Sequence, residues 1–337
     1  MRVAVNTNYK GNATEACLHD LAEKFAKAEY DVSYNNWDNY QDYDLVIFVG
    51  NDSEARKAKQ INPKILTGIL CPYLDEKRHR EESKAADFLL VDSLEMREVF
   101  LKYNKNIIVY YIFPETEETA RNHIAKDKII INYHGNKTHL SCMDNLSKAL
   151  DELALKHNIE FRAIYNIKRY GKWKKNLPKR CPVRHIQWLK EDFRQNLMQS
   201  DIGVIPAKVP INLSLGRITT RLISSFFYNW PRYYREDYLL RFKHATNPGR
   251  VYVFSQLGIP VVADFMPSYC QIIEDGKSGF LVYSQEGWYN ALEKLILSPE
   301  LRNELSWNLR DFINSNCSPE INFQKLLKFI ENLKLKI

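Results

Sequence analysis

Two short stretches hold residues whose types and spacing suit the binding of an anion. In "NPGR" (247–250), Asn247, Gly249 and Arg250 precede a helix-like run, and Gly258 stops that run before the apolar "IPVVAD" (259–264). The chain has only 12 glycines, so one at each end of a single short helix is informative. Gly249 allows backbone N–H groups to approach a ligand closely, and Arg250 adds a fork of donors at the partly positive helix start. Gly258 suits the position just past a helix end. In "YHGNK" (133–137), His134, Gly135, Asn136 and Lys137 follow an apolar strand at a turn, and Asp264 closes the strand after Gly258. A diphosphate site and a plain strand–helix–strand turn both fit these residues.

Charge divides along the chain. Residues 1–126 hold 17 Lys/Arg against 21 Asp/Glu, whereas residues 127–337 hold 31 against 20, so the second half is the anion-facing one. Within it, residues 161–184 carry nine basic side chains and no acid, which fits a solvated loop, a phosphate or an anionic membrane surface. Six scattered cysteines without a CxxC pair read as buried reduced thiols, and no histidine spacing fits a metal. No apolar run reaches the roughly 18–20 residues of a membrane span, and a strand from Arg2 argues against a leader, so a cytoplasmic protein is expected.

The elements that must hold these residues alternate. In the first half, strands are expected at 2–6, "DVSYNN", 44–50, 64–70, 87–93 and 106–112, with helices over 14–30, 53–60 and 94–103. Continuous apolar strands imply a parallel sheet covered by helices on both faces. Pro and clustered acids at 113–127 mark a linker. The alternation restarts with strands at 128–135, 159–165, 183–188, 201–206, 259–264 and 279–284, and with helices over 141–157, 191–199 and 250–257. Two doubly wound α/β domains are expected, residues 1–115 and 127–318, with a last helix over 319–337. A long insert (208–246) interrupts the second; its "FFYNWPRYYREDYLLRF" holds eight aromatics, read either as the core of a helical hairpin or as a platform for a stacked ligand. At the first strand–helix turn, Asn8, Tyr9 and Gly11 stand where a second ligand would approach. "DYD" (42–44) is read as a strand-start turn and not as a metal motif.

The run from Asn247 to Leu305 resembles the donor-binding half of GT-B glycosyltransferases, in particular glycosyltransferase family 4: a basic residue opening a helix, a Gly-x-Pro-Val-Val strand, an acidic Asp-Gly-x-x-Gly turn ("EDGKSG") and a Trp at the next helix. "WLKEDFRQNLMQSDIGVIP" (188–206) is similar to the same family's helix–strand segment, and "YDLVIFVG" and "ADFLLVDSLEMREVF" match more loosely. The resemblance implies the GT-B fold, two Rossmann-like domains facing across a cleft, and transfer of a sugar from a nucleotide diphosphate without a metal and with retained anomeric configuration. The last helix would cross back onto the first domain. It further implies a UDP-, GDP- or dTDP-sugar as co-substrate, with no prosthetic group.

On that basis Arg250, Lys137 and His134 are the catalytic candidates. Gly135, Asn136, Asn247, Gly249, Arg250 and Asp264 would bind the donor, and Asn8, Tyr9 and Gly11 the acceptor. Fixed cations would stabilise charge building on the departing phosphate. His134 is read equally as a ligand to the sugar or acceptor and as a satisfied structural histidine. Two departures stand out: Val253 occupies the place of a family Glu that grips the ribose, and Gln271 that of a second acid. The expected acceptor is a cell-surface glycan, free or lipid-linked, met at the inner face of the plasma membrane through a peripheral contact with anionic lipid. Nucleic acid is disfavoured as a partner, although a phage-type DNA-base glucosyltransferase and a non-catalytic nucleotide-binding scaffold remain the rivals.

Overall fold

The structure, a computed structural model, describes residues 1–8, 13–74, 76–113, 116–209 and 247–335, with the backbone alone at 13–17 and 51. The chain divides into two compact units. One comprises Met1–Thr119, Ala245–Leu257 and Leu309–Ile337, and the other Ala120–His244 and Gly258–Asn308.

The first unit is built on six parallel strands, β1 (Arg2–Asn6), β2 (Asp31–Tyr34), β3 (Leu45–Val49), β4 (Leu66–Leu70), β5 (Phe88–Val91) and β6 (Ile107–Val109), in the order β2-β1-β3-β4-β5-β6. Helices α1 (Ala13–Lys27), α2 (Ala55–Ile61), α3 (Lys77–Ala85) and α4 (Leu94–Phe100) connect them. Every residue of β3, β4 and β5 is buried, because successive side chains alternate between two covered faces. Val3, Val5, Ile47 and Leu70 pack on one face with Leu21 and Phe25 of α1, while Ala4, Val46, Phe48 and Ile69 pack on the other with Ala55 and Ala58 of α2.

Six more parallel strands form the second sheet: β7 (Ile129–His134), β8 (Ile159–Tyr165), β9 (Val183–Gln187), β10 (Ile202–Ile205), β11 (Val261–Asp264) and β12 (Phe280–Val282). Their order is β12-β11-β10-β7-β8-β9. Helices α5 (Lys137–Leu140), α6 (Asp144–Leu153), α7 (Ile167–Tyr170) and α8 (Phe193–Met198) lie among the first four of these strands. Helix α9 (Gly249–Gln256) follows and groups with the first unit; α10 (Pro267–Cys270), α11 (Gln285–Leu297), α12 (Pro299–Asn316) and α13 (Pro319–Lys334) complete the chain. Leu146, Leu150 and Leu153 of α6 pack with Trp288, Leu292 and Leu295 of α11 over Ile131, Ala163 and Val204. Phe323, Leu326, Ile330 and Leu333 of α13 share a core with Val3, Leu45 and Phe88.

Among the described residues no helix is long and apolar enough to cross a membrane. Of the described cysteines, Cys181 and Cys317 are buried as expected, while Cys71 and Cys142 are half-buried and Cys270 is exposed; burial pushes Cys181 up to about 12 and Cys317 to about 11, which keeps both protonated. Asp44 of the "DYD" stretch accepts the Arg2 amide at 2.8 Å just ahead of β3.

Several boundaries differ from the sequence reading. Helix α3 went unread because "KRHREESKA" has no apolar stripe; it begins with Glu76 and His79 capping one another's backbone N–H groups and buries Glu82 and Ser83. The helix expected over 141–157 is confined to α6, with Met143 and Ala154 as its caps. The linker at 116–127 has no helix or strand, yet its backbone is satisfied by the body of the protein: Thr119 donates to the Gln256 carbonyl and His123 to the Asn303 side chain. Most of the expected insert, including the aromatic stretch, lies outside the described residues.

Candidate functional site

Strand order alone marks one edge of the second sheet. From β7 the chain runs outward through β8 and β9, then returns to the other side of β7 with β10, β11 and β12. The carboxyl ends of β7 and β10 therefore diverge at a switch point, where open α/β sheets bind ligands. One wall of that crevice is His134 to His139, the other Pro206 to Lys208.

The β7 wall is held by local chemistry. Gly135 adopts φ +140°, a conformation that L side chains rarely tolerate, and its N–H donates to the Ile164 carbonyl at 3.1 Å. Asn136 caps α5 by accepting from the Thr138 N–H and hydroxyl, both at 3.0 Å, and its own carbonyl accepts the Tyr133 hydroxyl at 2.7 Å. The Lys137 ammonium donates to the carbonyl of Tyr170, the last residue of α7, next to Gly171 at φ +67°. Asn136 and Lys137 thus already have partners within the protein. His134 is 7% exposed, with its ring edge-on to Phe193 at 5.0 Å.

On the opposite wall the buried Asp264 carboxylate, ending β11, accepts the Ala207 amide at 2.6 Å. The next residue, Lys208, is 3% exposed, and its carbonyl lies 2.9 Å from His139 Nδ1, so the two walls are bonded across the crevice. The Lys208 side chain runs to the starts of two helices. Its Nζ is 3.7 Å from Asp144 Oδ1 at the head of α6 and 5.0 Å from the ring centre of Tyr283, which precedes α11. Asn145 Nδ2 donates to the Tyr283 carbonyl at 2.8 Å, tying those two helix starts together.

Helix α9 carries the other group of sequence candidates. Residues Val251 to Gln256 are all buried, so the helix is enclosed except at its start, where Gly249 and Arg250 are half-buried. Gly249 is its first residue and does not have positive φ; Gly258, at φ +64°, ends it as the sequence reading has it. Asn247 donates to the Ile112 carbonyl, and Tyr252 stacks on Phe113 at 4.3 Å. Val253 is 3% exposed, an apolar part of that packing. Gln271 donates to the Pro267 carbonyl within α10. The "EDGKSG" turn closes with the Gly276 N–H on the Gly279 carbonyl at 2.8 Å.

In the first sheet the switch point falls between β1 and β3. The Asn8 amide and the Thr7 hydroxyl both reach Asp52 Oδ2, at 2.8 and 3.3 Å, and Asn6 pairs with the Asn36 backbone. Tyr9 and Gly11 lie outside the described residues. Sequence reasoning missed Asp52 and Lys208. Asp52 belongs to a three-residue turn with no periodicity, while Lys208 follows an apolar strand directly and was read as the start of the insert.

No family model matches the chain, and no curated protein matches it. The fold does have solved counterparts. Sucrose-phosphate synthase from Thermosynechococcus elongatus is 11% identical, with a TM-score of 0.64 over 100% of each chain. HepE from Anabaena, solved in complex with UDP, is 13% identical, with a TM-score of 0.63 over 98% of this chain and 99% of the other. WaaG, a glycosyltransferase involved in lipopolysaccharide biosynthesis, is 12% identical at TM-score 0.57 over 96% and 98%. TarM matches over 85% of this chain, which spans only 54% of TarM's length. A putative UDP-N-acetylglucosamine 2-epimerase from Listeria monocytogenes also matches, at TM-score 0.56 and 12% identity over 100% of this chain.

Proposed function

The chain has the α/β fold of the GT-B glycosyltransferases, and we propose that it is itself a glycosyltransferase of the hexosyltransferase kind. It would take a sugar from a UDP-, GDP- or dTDP-sugar and add it to a cell-surface glycan such as a capsule or lipopolysaccharide chain. One coincidence carries the reading: the motif run from Asn247 to Leu305 occurs in a chain whose fold matches, nearly end to end, a protein solved with UDP and with UDP-glucose. Fold alone does not specify reaction, and the epimerase likeness makes the point.

In this reading Arg250, with Asn247, Gly249 and the N–H groups at the start of α9, binds phosphate oxygens, and Gly135, Asn136 and Asp264 shape the crevice of the second sheet for the donor. Lys137 offers its remaining N–H groups to the leaving diphosphate, and His134 faces the sugar. Charge developing on the diphosphate is neutralised by these cations and helix starts, without a metal and with retention at the anomeric carbon. Asn8 and its neighbours Tyr9 and Gly11 serve the acceptor.

Exposed Tyr170, Trp188 and Leu189 lie among exposed Lys168, Arg169, Lys172, Lys174 and Lys190. Aromatic and basic side chains in that combination suit the surface of an anionic bilayer, which is where a lipid-linked acceptor would be met, at the cytoplasmic face.

The test is thermal unfolding against UDP, GDP, dTDP, ADP and CMP. A nucleotide at 100 times its dissociation constant stabilises by about 2.7 kcal/mol. A selective shift that Arg250→Ala abolishes supports the donor site, and no shift with any nucleotide removes the reading. Binding followed by epimerisation of UDP-N-acetylglucosamine without an acceptor would assign the epimerase reaction instead.

A further inference from the structure

We propose that Lys208 is a phosphate-binding residue, its buried ammonium held at the switch point of the second sheet to grip the diphosphate of a nucleotide ligand. This inference rests on the nucleotide-sugar reading above and adds to it a residue that no motif marks.

An ammonium group has three N–H donors, and burying one without acceptors is costly. Lys208 is 3% exposed, and its Nζ has no hydrogen-bond acceptor among the described residues. Its nearest anion, Asp144, lies at 3.7 Å, beyond hydrogen-bonding distance, with a carboxylate that is 39% exposed and so shared with water. The Tyr283 ring at 5.0 Å offers only a face.

The surroundings add positive potential. Lys208 Nζ stands beside Asp144, the first residue of the ten-residue α6, whose Met143 cap supplies no side-chain acceptor. The thirteen-residue α11, whose start is capped by Ser284 and carries Glu286, begins just past Tyr283 and is tied to α6 through Asn145. The start of α6, equivalent to roughly half a positive charge, thus accompanies an ammonium with unfilled donors. The half-exposed Asp144 carboxylate at 3.7 Å leaves the ammonium donors unfilled, whereas a diphosphate would fill them and offset the charge. Bonds to Asp264 through Ala207 and to His139 fix the Lys208 backbone on both sides.

The test compares binding of UDP, GDP and dTDP, each against its nucleoside, in the wild-type chain, Lys208→Met and Asp144→Asn. The ratio of diphosphate to nucleoside affinity reads the phosphate contacts alone. In Lys208→Met that ratio is expected to fall by tenfold to a hundredfold, roughly the worth of a charge-assisted hydrogen bond, while the ligand-free protein unfolds at the same temperature or higher because an unfilled buried charge has gone. Asp144→Asn, which leaves the ammonium in place, is expected to keep or raise the ratio. An unchanged ratio in Lys208→Met overturns the proposal. So does a lowered ratio in Asp144→Asn, which also decides the matter should Lys208→Met fail to fold, since it makes the lysine one half of a structural ion pair. A wild-type chain that binds none of these nucleotides overturns the glycosyltransferase reading together with the inference.

Discussion

The carboxylate of Asp264 accepts the amide of Ala207 at 2.6 Å, so the last residue of β11 fixes the loop that leaves β10. Replacing it by Ala leaves a buried N–H without its acceptor. Asp264→Ala is expected to lower stability by about 1–3 kcal/mol in urea unfolding. A change within a few tenths of a kcal/mol would show that the bond is dispensable.

His123 gives the fold a pH dependence. Its Nε2 lies 2.8 Å from the Gly258 carbonyl, and it is 4% exposed. Burial, with help from Arg121 and Arg302, lowers its pKa from 6.5 to about 4, so the fold holds it neutral. The unfolded chain therefore binds the extra proton between those values. The contribution is complete above about pH 6.5, falls as pH drops toward 4 and is level below that, for a total of about 3 kcal/mol. Urea midpoints at pH 7.5 and 5 should differ in the wild type and converge in His123→Gln; equal slopes for the two proteins would contradict the assignment.

Gly135 and Gly258, at φ +140° and +64°, are places where a side chain strains the backbone. Alanine at either is expected to cost about 1–3 kcal/mol. Gly135→Ala should also weaken nucleotide binding, because Gly135 forms the β7 wall of the crevice, whereas Gly258→Ala should act on stability alone. Isothermal titration beside urea unfolding separates the two effects.

Gly68 on β4 is constrained by packing. A Cβ there would stand 2.5 Å from the Phe88 ring. Gly68→Ala must displace that ring from the first unit's core and is expected to cost about 1–3 kcal/mol. A variant as stable as the wild type would mean that the ring moves freely.

Much of this architecture was legible before any coordinate. Strands such as "LVIFV" and the stretch around "IPVVAD" announce themselves because a doubly covered parallel sheet leaves little room for polar residues. Gly258 was legible for the same kind of reason, since few residues end a helix in its conformation. Helix α3 was not, because its stability comes from caps and from Glu82 bonded to Ser53 and Arg56, features without periodicity. The site was the least legible part. Lys137 looks free in "GNKTH", yet a carbonyl 33 residues away takes its ammonium, and Lys208 looks like a loop cation while the fold buries it. Side-chain partners of that kind come from tertiary neighbours and leave no local pattern.

The core beneath the first sheet is completed from far along the chain: Phe323, Leu326 and Ile330 of α13 cover Val3, Leu45 and Phe88. At a synthesis rate of about 5–20 residues per second, that apolar face waits on the order of 15–60 s for its cover after the first strands emerge. During this interval the nascent chain presents a sticky surface that a chaperone would have to shield. A chain stopped after residue 316 should remain in that condition and bind more of a hydrophobic dye such as ANS than the full chain does.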